Sequence, residues 1–147
     1  MFDPSREQAR ELFFGAWQKY RAGTPLVGME SLALDVILLH TEYHEILAAP
    51  GRYRDKDYTD EANPFLHMSL HLALEEQLSI DQPPGIAAHF NGLLQKNPND
   101  RHTALHEAIE CLAETMWRAQ REGAPPDAAT YLECLQRRAL ITPKAGR

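Results

Sequence analysis

Six of the seven histidines stand in pairs four residues apart: His40 with His44, His67 with His71, and His102 with His106. Seven histidines scattered at random over this length would give about 0.3 such pairs, so the spacing calls for a physical reason. On an α-helix, residues four apart stack on one face at roughly 6 Å, close enough for two imidazoles to share one metal ion. Carboxylates extend two of the pairs by the same interval, with Glu75 four beyond His71 and Glu110 four beyond His106. Imidazole with carboxylate is a donor set for a divalent transition metal such as zinc, iron or manganese.

The faces these residues occupy sharpen the expectation. With a turn of 100° per residue, His67 and His71 fall among Leu66, Leu70, Leu74 and Leu78, with Met68 and Leu72 opposite. His106 shares a sector with Ile109, Ala113 and Trp117, and His102 and Glu110 lie at its margins. His40 and His44 share theirs with Val36, Ile37 and Leu47. Three helices are thus predicted to aim imidazoles at the interior, where each ring left without a partner costs on the order of 1 to 3 kcal/mol. The predicted cluster is His44, His67, His71, His106 and Glu110, with His40, Glu75 and His102 as outer candidates. A divalent metal there would open hydrolysis or oxygen chemistry. The competing reading is a metal-free module whose histidines bond to one another and rigidify the core, with function in a surface for another protein or a second copy.

Several sharper signatures are absent. His106 and Glu107 are not followed by a second histidine at the metalloprotease interval, and no glutamate precedes a histidine at the Glu-x-x-His spacing of di-iron bundles. No glycine-rich phosphate loop occurs, and Ser69 has no nucleophile elbow around it.

The elements that must position the histidines read as helices. Asp3 and Pro4 form a start signal for a first helix carrying Ala9, Phe13, Ala16 and Trp17, which Gly23 and Pro25 close. The spacing predicts a second helix over residues 29–48, ended by Pro50 and Gly51, and a polar surface loop over 52–61. Asn63 and Pro64 start a central helix over 64–79, apolar around more than half its circumference. After the turn at residues 81–85, a shorter helix bears Ile86, Phe90 and Leu93. A long one covers 100–122 and is stopped by Gly123, Pro125 and Pro126, and a last one covers 127–139. Trp17 and Trp117 both fall on apolar sectors and are expected in the packing. The fold class is all-α: a single domain over residues 1–147, a bundle of about six helices with a frayed tail from about residue 140.

Composition fits one domain, since 147 residues with 44% hydrophobic content can bury a continuous core. The formal net charge of -6, with basic residues scattered, disfavours nucleic acid as a partner. No run is long and apolar enough for a membrane span, and the charged N-terminus does not read as a signal peptide. Cys111 and Cys134 form no Cys-x-x-Cys unit and are expected as free, buried, apolar-like residues of a cytoplasmic protein.

The stretch NPFLHMSLHLALEEQLSIDQPPGI from residue 63, the segment around His40, Tyr43 and His44, and HEAIECLAETMWRAQREG from residue 106 together resemble a bacterial family known as domain of unknown function 1841. The likeness covers nearly the whole length. It implies a small stand-alone bacterial protein and brings no activity with it. The chain departs from the family pattern at Thr41, where a proline is usual; a proline there would divide the second helix just after His40.

Overall fold

The structure, a computed structural model, describes residues 6–59 and 62–140, all of them helical or connecting, with no strand among them. Among the described residues there are eight α-helices and one 3-10 turn, more than the six helices expected. The chain forms two compact units, the first ending at Ala73 and the second beginning at Leu74. The start signal at Asp3 and Pro4 and the tail beyond residue 140 lie outside the described residues.

In the first unit, α1 (Arg6–Ala22) packs against α2 (Met29–Leu38). Their apolar stripes, Phe13, Phe14, Ala16 and Trp17 on one and Ala33, Val36 and Ile37 on the other, form a core with Leu47, Phe65, Met68 and Leu72. Gly23, at φ 72°, supplies the left-handed residue that ends α1, and Thr24 N–H returns to Lys19 O at 2.9 Å. The Lys19 ammonium meets Glu30 at 2.8 Å and joins the two helices at that end.

The second helix is not continuous to residue 48. It stops at Leu38, and a 3-10 turn (Thr41–Tyr43), α3 (His44–Leu47) and α4 (Pro50–Tyr53) follow. The last carbonyls of any helix lack intrahelical donors. Here two imidazoles supply them: His40 Nδ1–H donates to Val36 O at 2.8 Å and His44 Nε2–H to Ile37 O at 2.9 Å. Apolar spacing survives the break, so periodicity alone could not reveal it.

Pro50 opens α4 rather than closing a helix, because a first-turn position has no use for the amide proline lacks. The segment expected as a solvated loop is therefore partly helical, and the rest is tied down. Arg10, only 2% exposed, donates from Nη1 to Arg54 O and Lys56 O at 2.8 Å each and lies 4.7 Å over the Phe65 ring. Its guanidinium holds the chain after α4 against α1.

The second unit takes in the end of α5 (Pro64–Ile80), then α6 (Ile86–Lys96), α7 (Arg101–Glu122) and α8 (Ala128–Leu140), the last three packing pairwise. Asp81 closes the turn before α6 by accepting from Ala87 N at 3.0 Å, and Asp100 caps α7 by accepting from Thr103 N at 3.1 Å. Gly123, left-handed at φ 62°, ends α7 as expected. Tyr131 O–H donates to Gln77 Oε1 at 2.7 Å inside the unit, and Lys96 bridges Glu107 at 2.6 Å and Arg138 O at 2.9 Å.

Two further expectations fail here. Cys111 and Cys134 are buried, but they are joined in a disulfide between α7 and α8, and no free cysteine exists. Sequence separation hid this, because the antiparallel hairpin of helices brings their α-carbons to 5.8 Å. Cysteine usage therefore no longer argues for a reducing compartment. Trp117 is 56% exposed rather than packed, its ring covered on one face by Arg121 at 4.3 Å, one helical turn on. No described helix is long and apolar enough to cross a membrane.

Candidate metal centre

Three imidazoles of the first unit meet at one point. His67 and His71 sit one turn apart on α5, and His40 reaches them from the break after α2. His67 Nε2 lies 3.1 Å from His40 Nε2 and 3.2 Å from His71 Nε2. The ligating atoms of all three lie within 4.8 Å of one another. The rings stand edge to face, with interplanar angles of 81°, 71° and 73°, so their nitrogens converge while their faces pack apart.

Burial and tautomer favour a lone pair at that point. His40 is 1% exposed and His71 0%, while His67 is half-buried. A neutral imidazole that donates from Nδ1, as His40 does to Val36 O, carries its lone pair on Nε2, the atom turned to the cluster. Tyr43 stacks parallel on His40 with ring centroids 5.5 Å apart and an interplanar angle of 5°. The 3-10 turn explains the stack, since residues three apart eclipse in that geometry. Burial, with Glu42 nearby, raises the Tyr43 phenol above its ordinary range.

The spacing can be set against metal geometry. With bonds of about 2.05 Å to zinc, two nitrogens of a tetrahedron stand about 3.3 Å apart, and two at a right angle about 2.9 Å. The observed 3.1 and 3.2 Å fall between these. The same lengths also suit N–H···N hydrogen bonds. However, His67 Nε2 offers either one proton or one lone pair, so it cannot bond well to both neighbours, whereas one cation accepts all three lone pairs.

Three other sequence-predicted residues have partners of their own. His44, pinned to Ile37 O, lays its ring against Trp17 with centroids 4.3 Å apart. Glu75 forms a two-bond ion pair with Arg101, at 2.7 and 3.1 Å. Glu110, 61% exposed, pairs with Arg138 at 2.5 Å. His102 and His106 pack edge to face on α7 in the second unit, with centroids 4.3 Å apart. Sequence reasoning ranked His40 as an outer candidate, and the geometry makes it a central one. The missed signal was a capping one: a histidine four beyond a valine at a helix end can bond back to that carbonyl.

A family model described as Domain of unknown function (DUF1841) matches residues 5–137. No curated protein and no solved structure matches the chain.

Proposed function

The chain belongs to the DUF1841 family, and since that description carries no activity, we propose from the imidazole geometry that it binds a divalent transition metal through His40, His67 and His71. The observation that carries the reading is the placement of three Nε2 atoms at coordination-sphere spacing in a buried setting. An all-nitrogen set suits zinc or iron better than manganese, which favours oxygen donors. Glu75 and Glu110, the carboxylates that would have favoured manganese, are held by Arg101 and Arg138. Activation of water, or oxygen binding, is the chemistry a histidine-held ion supplies.

Metal analysis of protein purified without a polyhistidine tag tests this directly. The expected result is close to one ion per chain, lost in H67Q, with a midpoint that falls on chelation and returns on readdition of zinc or iron. An ion present at a hundredfold over its dissociation constant stabilises the folded state by about 2.7 kcal/mol. Parallel H106A protein reads whether the histidine of α7 takes part, as its sequence spacing suggests. Substoichiometric metal with unaltered melting would instead support the metal-free module, whose function lies in a surface for another protein or a second copy.

A further inference from the structure

We propose that Tyr43 is a positioning residue of the three-histidine site: its ring holds the plane of the His40 imidazole, so that Nε2 stays turned to His67 and His71. The inference rests on the metal reading above and names what keeps that site in order. His40 follows the end of α2 and stands on no helix, so no helical pitch aims it. The bond from its Nδ1 to Val36 O, at 2.8 Å, fixes one edge of the ring. A single hydrogen bond still permits rotation about its own axis, and the outer torsion of histidine is broad enough to allow it.

The Tyr43 ring opposes that rotation. It lies parallel to His40, with 5.5 Å between centroids and 5° between planes, and meets His67 edge to face at 6.3 Å and 76°. One aromatic side chain thus packs against two of the three proposed ligands. The main chain puts it there: Tyr43 N–H closes the 3-10 turn on His40 O at 3.0 Å, and residues three apart eclipse in that geometry. Tyr43 is itself packed against the apolar core of the unit, so the ring that does the holding is held in turn. A histidine with three staggered wells at its first torsion and two orientations at its second has about six ring placements, of which one is productive, so losing the restraint should weaken binding by up to about sixfold. Outer partners that orient ligating histidines contribute about 10- to 100-fold, and a stack without a hydrogen bond belongs near the lower end. The contacts that matter are those of the ring face and edge, which phenylalanine can make as well.

Zinc affinity is measured by competition with a chromophoric chelator for untagged parent, Y43F and Y43L, with the melting midpoint of each apo protein beside it. At a temperature where all three are folded, Y43F should bind within about twofold of the parent and Y43L about five- to tenfold more weakly. A merely structural role would lower the apo midpoint of Y43L and leave the affinity of its folded state unchanged, which overturns the proposal. An equal loss in Y43F also overturns it, because the hydroxyl and not the stack would then carry the effect. If Y43L does not fold, the parent decides: NMR cross-peaks between the His40 and Tyr43 rings, with His40 ring protons shifted upfield, should be present in apo and zinc-loaded protein, and their absence overturns the role. A parent that binds zinc beside an indifferent Y43L removes only the role of Tyr43. A folded parent that takes up no zinc removes the metal reading and this inference with it.

Discussion

Reduction of the Cys111–Cys134 bond is a perturbation whose size can be worked from the chain itself. The cysteines are 23 residues apart, and closing a loop of that length in the unfolded chain removes entropy worth about 3 kcal/mol at 25 °C. For a domain of this size, each kcal/mol moves the midpoint by about 2 to 4 °C, so reduction should lower it by roughly 6 to 12 °C. The bond joins α7 to α8 within the second unit. Faster amide exchange on reduction should therefore concentrate in those helices and spare α1 and α2. Calorimetry of oxidised and reduced protein measures the first effect, exchange mass spectrometry the second, and non-reducing peptide mapping confirms the linkage. The C111A/C134A double variant should melt with the reduced protein. If oxidised and reduced protein melted within about 1 °C of each other, the loop-closure reasoning would be refuted.

Removing the buried Arg10 should be costly: R10A loses the bonds to Arg54 O and Lys56 O together with the contact over Phe65, for about 3 kcal/mol by urea unfolding, and proteolysis should then cut near residues 54–57. R10K, whose point charge cannot reproduce the fork, should recover less than half of that. Y131F should destabilise by about 1 to 3 kcal/mol, because it leaves the buried Gln77 carbonyl without its donor, and a double-mutant cycle with Q77L should show strong coupling. Acid sensitivity has a defined sign. The capping carboxylates Asp81, Asp100 and Asp127 are held below their ordinary range by bonds from Ala87 N–H, from Thr103 and from Thr130 respectively. Their contribution is full above the unfolded carboxylate value of about 3.9 and is lost as pH falls through the depressed folded values. Melting midpoints between pH 5 and pH 2 should therefore drop less steeply in D100N/D127N than in the parent.

Helix identity was legible at Asn63 and Pro64, Asp100 and Gly123, where a cap or breaker stands beside an apolar stripe, but not at Pro50, which opens a helix instead of closing one. The second helix was misread because its end is written in side-chain bonds from His40 and His44 to α2 carbonyls, which leave the apolar spacing untouched. The histidine excess did lead to rings that meet: His71 is buried, and His67 beside it is half-buried. Yet spacing of four was taken as pairing on one helix, and His40 with His44 share no helix at all. Glu75 and Glu110 extended the pattern by interval alone, and the arginines that claim them come from sequence positions that no periodicity links to them. The disulfide was invisible for a similar reason: it depends on how α8 lies along α7, a tertiary fact.

The interruption after Leu38 also bears on how the histidine cluster could be altered. His40 is aimed by backbone torsions of -124° and 69° rather than by a helical pitch. Any substitution that lets α2 wind on through residue 40 would rotate that ring about 100° around the axis for each residue added. The convergence of the three imidazoles is thus adjustable from a single joint in the main chain, without touching any of the rings.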